Sequence, residues 1–167
     1  MTLNKRPLVE SFGSLEGDCH LPAGTKGSSF IRATAVGSAI RKVLKNFNLI
    51  ESKIRILQYA LMPDHLHILL FVTEQTEEIL GRIIARFKVE VNREIGHNGV
   101  FAKGFNDQIL KPTRSLDTLY RYLRDNPRRL AVRREHPEFF RRVNRLKIGD
   151  KTYQAYGNIQ LLDCSSI

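Results

Sequence analysis

His65 and His67 sit two residues apart in Met62-Pro63-Asp64-His65-Leu66-His67-Ile68-Leu69-Leu70, an apolar, strand-forming run behind a turn-forming Pro-Asp. In a strand, residues i and i+2 share one face, so the two imidazoles project together and Leu66 points the other way. Two imidazoles side by side make half of a metal site. A second pair follows downstream. Tyr122 and Asn126 are four residues apart, which on one helix places them on the same face. Each residue also has an ordinary use. A His-x-His pair is most often surface or core, a tyrosine is most often core, and an asparagine before a proline often ends a helix. Asp64 is most simply a turn former, and Asp107 either supports the site or is a loop residue. His20, His97 and His136 have no partners by spacing and read as structural or surface residues.

The elements that must position these residues follow from periodicity. Lys53 to Leu61 alternates as a strand, and His65 to Val72 forms a second strand behind the Pro63-Asp64 turn, giving a β-hairpin. Thr76 to Gly96 reads as an amphipathic helix capped by Thr76, with Glu77 and Glu78 in its first turn. Its apolar stripe is Ile79, Ile83, Phe87 and Val91, flanked by Leu80 and Ile84. Phe101 to Leu110 is a loop or strand. A further helix starts at Ser115 or Asp117, carries Tyr122, and kinks or ends near Asn126 because of Pro127. Ser29 to Phe47 has helical spacing. Residues 1–28 are irregular apart from a short strand near Cys19 to Ala23. The tail from Pro137 is ambiguous, with Gly149-Asp150 as a turn before a short strand at Lys151 to Gln154.

The chain has 167 residues, enough for one domain with a real core, and is 42% hydrophobic. It is therefore read as a single domain over residues 1–167. No apolar run approaches a membrane span, so no membrane partner is expected. Cys19 and Cys164 stand far apart in no metal-type spacing, which points to reduced thiols and a cytoplasmic protein. The charge is a formal +10. From Arg121 to Lys147 ten basic residues face three acidic ones, a net +7 made mostly of arginine. The planar guanidinium suits phosphate, so this segment points to nucleic acid rather than to a merely solvated face.

Met62-Pro63-Asp64-His65-Leu66-His67 followed much later by Tyr122-Leu123-Arg124-Asp125-Asn126-Pro127 resembles the single-tyrosine HUH transposases, and most of all the REP-associated tyrosine transposases. The segment between, Val100-Phe101-Ala102-Lys103-Gly104-Phe105-Asn106-Asp107, comes in the family order. The resemblance implies an α+β fold: a small antiparallel β-sheet with packed α-helices, ferredoxin-like or RRM-like. It implies a divalent cation, Mg²⁺ or Mn²⁺, held by His65, His67 and the amide oxygen of Asn126. Tyr122 would be the nucleophile that cleaves single-stranded or hairpin DNA. Arg121, Arg124, Arg128, Arg129 and Arg133 are the expected DNA contacts. Tyr120, the rival tyrosine, has Arg124 four residues on, which cannot ligate a cation, and reads as a packing residue. In place of the family's usual opening strand, with its aromatic and His/Thr residues, this chain offers Cys19-His20-Leu21-Pro22 and Thr25-Lys26-Gly27. The C-terminal segment 137–167 does not match a helix that carries the tyrosine between subunits, so a homodimer and the subunit that supplies the tyrosine are open.

Two other functions fit the same residues. A nucleic-acid-binding module could keep the fold and charge without catalysis. A metal-dependent hydrolase using water would not need Tyr122.

Overall fold

The computed structural model describes residues 1–50, 53–74, 79–110, 115–140, 142–148 and 151–156. The chain runs β1 (Thr2–Asn4), β2 (Gly13–Glu16), β3 (Phe30–Ala33), α1 (Ala35–Ile50), β4 (Ile54–Leu61), β5 (His65–Val72), α2 (Leu80–Ile95), α3 (Leu116–Glu135), a 3-10 turn (Pro137–Phe140), β6 (Arg142–Ile148) and β7 (Lys151–Tyr156). It is an α+β fold with a small antiparallel sheet and packed helices. Among the described residues no helix is long and apolar enough to cross a membrane.

The main sheet has the order β1-β5-β4, with both pairings antiparallel. Residues 101–106 extend it beyond β1. Thr2 N donates to Asn106 O at 2.7 Å, Asn106 N to Thr2 O at 3.1 Å, and Ala102 N to Asn4 O at 2.8 Å. With that irregular edge counted, the spatial order is 101–106, β1, β5, β4. α1 precedes β4 and α2 follows β5, which is a ferredoxin-like arrangement. The antiparallel ribbon β2-β3 is inserted between β1 and α1.

Strand periodicity decides which residues enter the core. Leu66 in β5 pairs with Leu3 of β1 and Leu61 of β4, and all three are buried beneath α1 and α2 with Ile40, Val43, Phe87 and Val91. Removing each such side chain from water contributes about 1.5–3 kcal/mol. Phe47 of α1 meets Phe87 of α2 edge-on at 5.4 Å between ring centroids, and Phe87 meets Phe101 at 6.0 Å. The histidines, one residue out of phase with Leu66, are left on the other face of the sheet. α3 approaches that face through β4.

Several expectations are corrected. Cys19 to Ala23 is a turn, and the first strand is instead Thr2–Asn4 at the start of the chain. Ser29 to Phe47 divides in two: Phe30–Ala33 is a strand, and helix α1 begins at Ala35. Ile31 is buried because it alternates with exposed Phe30 and Arg32 in a strand paired to Leu15. Thr34 then ends that strand and caps α1, its hydroxyl accepting from Gly37 N at 3.3 Å. Gly37 is required there, since a Cβ would fall 1.9 Å from the Phe12 carbonyl oxygen.

Helix α2 begins at Leu80, behind an N-cap Ile79 that makes no side-chain capping bond. Thr76, Glu77 and Glu78, the expected cap, lie outside the described residues. Ile79 is 67% exposed, so the buried stripe starts at Ile83. Gly96 closes the helix in the left-handed region at φ 70°. α3 does not end near Asn126. It runs through Pro127 to Glu135, capped by Ser115, whose hydroxyl accepts from Thr118 N at 3.1 Å. Pro127 supplies no N–H to the carbonyl of Leu123, but packing of Leu123, Asn126 and Ala131 carries the helix past it. The strand expected at Lys151 to Gln154 extends to Tyr156 and pairs with β6. The Gly149-Asp150 turn lies outside the described residues.

Candidate metal and tyrosine site

The turn that delivers the histidines is held from several sides. Lys5 N donates to Asp64 O at 2.8 Å, Phe12 N to Pro63 O at 2.9 Å, and Met62 N to His65 O at 2.9 Å. The Ser11 hydroxyl donates to Pro63 O at 3.0 Å. A tight turn with its carbonyls engaged fixes the register of β5, and a one-residue slip would send both histidines into the core.

On the exposed face His65 and His67 stand edge to face, with ring centroids 4.6 Å apart. Each ring is oriented by a bond to Nδ1. The Asp64 carboxylate lies 2.7 Å from His65 Nδ1, and the Thr2 hydroxyl lies 2.8 Å from His67 Nδ1. The two Nε2 atoms are thereby turned toward each other at 3.0 Å. Two adjacent ligands of an octahedral cation with bonds of about 2.1 Å stand about 3.0 Å apart. The 3.0 Å separation is that of an N–H···N hydrogen bond between the rings and also matches two adjacent ligands of such a cation.

The protonation states agree with that use. Burial is the main cause, with the neighbouring His65 adding to it, that pushes His67 from its ordinary value down to about 4; Asp64 opposes the shift. The imidazole is neutral at pH 7 and its lone pair is available to a metal. In the neutral tautomer whose Nδ1–H is directed at Asp64, His65 Nε2 carries a lone pair. A hydroxyl both donates and accepts, so Thr2 suits either tautomer of His67.

Tyr122 completes the group. Its ring lies 6.2 Å from that of His67 in the same chain, and the residue is 42% exposed, so it is open to a substrate. The Arg129 guanidinium lies 5.3 Å from the Tyr122 ring centroid, at cation–π range. One turn beyond Tyr122, Asn126 is buried, and its Nδ2 has no hydrogen-bond partner among the described residues. Which end of an amide is oxygen is assigned from its neighbours. An amide N–H buried without a partner is costly; with the amide turned over, the same position would present an oxygen that a bound cation could satisfy. Two imidazoles and an amide oxygen fit a hard to borderline divalent ion that keeps open positions for water and phosphate. Tyr120 is turned away and donates to the Leu57 carbonyl at 3.5 Å. Asp107 is an exposed loop residue.

The arginines divide between faces of α3. At about 100° per residue, Tyr122, Asn126 and Arg129 share one face. Arg121 and Arg124 share another with Asp117 and Tyr120, and these four with Gln58 line an open cavity of about 500 Å³. Arg128 turns inward. Its side chain is 17% exposed, its Nε donates to the Cys19 carbonyl at 2.8 Å, and its guanidinium lies 3.8 Å from Asp125. It ties the helix to the loop after β2 and presents little surface to a phosphate. Arg133 is exposed near the end of the helix.

Thr2 is the site residue that sequence reasoning missed. Its signal was the alternation Thr2-Leu3-Asn4, too short to register as a strand.

No protein-family model matches this chain, and no solved structure matches it. A curated protein of Haemophilus influenzae, described as an uncharacterized protein, is 22% identical over 116 residues. The match covers 55% of this chain and 64% of that protein, so the chain spans less than two thirds of its relative's length.

Proposed function

We propose that this protein is a single-tyrosine HUH transposase of the REP-associated kind, which cuts and rejoins single-stranded DNA through a phosphotyrosine. The observation that carries the reading is the convergence of two oriented histidine Nε2 atoms and the exposed Tyr122 on one face of the sheet. The resemblance of the Met62-to-His67 and Tyr122-to-Pro127 segments supports it from the sequence side.

His65, His67 and Asn126 would hold Mg²⁺ or Mn²⁺, which polarises the scissile phosphate when bound. Tyr122 Oη forms a bond to phosphorus and the P–O3′ bond breaks. The phenolic proton goes to solvent and the departing oxygen is protonated to a free 3′-hydroxyl. The 5′-phosphate stays on Tyr122 as a diester, so its energy is conserved for attack by another 3′-hydroxyl and no nucleotide cofactor is consumed. Arg129 lies over the phenol ring and favours negative charge on it. Arg121 and Arg124 offer a second cationic strip on the flank of the same helix, suited to the backbone of a strand or hairpin.

The test is incubation with Mn²⁺ and labelled, hairpin-bearing single-stranded DNA, followed by a denaturing gel. A covalent adduct that vanishes in Tyr122→Phe supports the transposase. Cleavage that survives Tyr122→Phe makes the protein a hydrolase, and binding without cleavage makes it a nucleic-acid-binding module.

A further inference from the structure

Away from the histidine pair, four side chains with metal-ligand chemistry meet where the loop after β2 touches the last turn of α3. Asp18, Cys19 and His20 place one ligand atom each within 4.8 Å of one another. Glu135 joins them from across the chain. The Cys19 thiol donates to Glu135 Oε2 at 3.0 Å, and His20 Nε2 lies 3.9 Å from the same oxygen. We propose that Asp18, Cys19, His20 and Glu135 form a second cation site, one suited to zinc.

The donor set argues for that metal. A thiolate, an imidazole and carboxylates make a borderline-soft group, which zinc takes tetrahedrally with bonds of about 2.0–2.3 Å. The histidine pair with Asn126 has no sulfur and suits harder ions. The backbone under the four residues is already fixed. Asp18 N donates to Gly27 O at 2.9 Å and Ser29 N to Asp18 O at 3.1 Å. The Asp18 carboxylate accepts from His20 N at 2.8 Å, and Arg128 Nε holds the Cys19 carbonyl at 2.8 Å. Cys19 is 2% exposed, whereas the His20 and Glu135 side chains are 75% and 51% exposed. One ligand is thus anchored, and the exposed ones need only rotate inward.

On binding, an S–Zn bond replaces the S–H bond of Cys19, and the proton leaves to solvent. The ion would fasten the loop after β2 to α3, thirteen residues beyond Tyr122, and so brace the helix that carries the phenol. This site stands on its own residues and does not depend on the transposase reading.

Cobalt(II) titration of the metal-free full chain tests it, in a Cys164→Ser background so that Cys19 is the sole thiol. One equivalent should produce the thiolate-to-cobalt charge-transfer band. The band should disappear in Cys19→Ser, persist in His65→Ala/His67→Ala, and need at least tenfold more cobalt in His20→Ala or Glu135→Gln. The last two substitutions are at the surface and keep the test valid if Cys19→Ser fails to fold. In a His65→Ala/His67→Ala background, zinc should also raise the melting temperature by several degrees, and adding His20→Ala/Glu135→Gln should abolish that rise. Absence of the band in the parent, its persistence in Cys19→Ser, or unchanged affinity in His20→Ala/Glu135→Gln would overturn the proposal.

Discussion

The Thr2 hydroxyl lies 2.8 Å from His67 Nδ1, across the β1–β5 pairing that sets Thr2 opposite His67. The strand at the very start of the described chain thereby orients a ring 65 residues away. Outer partners of this kind fix the orientation of a ligating ring, and their loss costs about 10–100-fold in metal affinity. Thr2→Val should weaken Mn²⁺ binding by roughly tenfold or more, whereas Thr2→Ser should keep it. Isothermal titration of the two variants decides the point, and equal affinities would remove Thr2 from the site.

Asn126 gives a prediction of opposite sign for stability and function. Its buried Nδ2 has no partner among the described residues, and such a group costs about 1–3 kcal/mol. Asn126→Leu, of similar size, should leave the metal-free protein as stable as the parent or more so in urea unfolding. The same variant should lose DNA cleavage in Mn²⁺. A marked loss of metal-free stability would mean that the amide is a structural residue.

The low pKa of His67 has a stability consequence in chelator. Unfolded, the ring titrates near 6.5; folded, it titrates near 4 because burial disfavours its charged form. As pH falls below 6.5 the unfolded chain takes up the proton first, so stability is full above that value and declines toward pH 4. Urea midpoints of metal-free protein at pH 7.5 and pH 5 should differ more for the parent than for His67→Gln. Parallel behaviour of the two proteins would refute the assignment.

Arg129 and Arg128 are neighbours in sequence with different roles. Arg129→Ala removes the guanidinium over Tyr122 and should slow adduct formation with little change in melting temperature. Arg128→Ala removes the bond to the Cys19 carbonyl and should cost about 1.5–3 kcal/mol of stability, the scale of a charged hydrogen bond. Thermal melts and single-turnover gels on both variants separate the two roles.

What the sequence disclosed follows the strength of its local patterns. Eight strand-forming residues at His65–Val72, behind a Pro-Asp turn, gave the strand, and the i,i+2 spacing gave the shared face of the histidines. The i,i+4 spacing of Tyr122 and Asn126 likewise survived the misjudged end of α3, because packing of Leu123 and Ala131 outweighed the missing N–H of Pro127. β1 and β3 were hidden, being strands of three and four residues whose identity depends on partners elsewhere in the chain. His20 was read as a residue without partners, since Glu135 comes beside it only through folding.

The place of β1 bears on how the site is assembled. It is the earliest described element, yet it sits inside the sheet between β5, which follows one helix later, and residues 101–106, which follow two helices later. Closing loops of that length is slow compared with forming helices or a hairpin. The β4–β5 hairpin can therefore present both histidines early, while His67 waits for Thr2 until the sheet is sealed. His67 would then gain its hydroxyl partner only at the last stage of folding, so the histidine pair is fully oriented only once the sheet is closed.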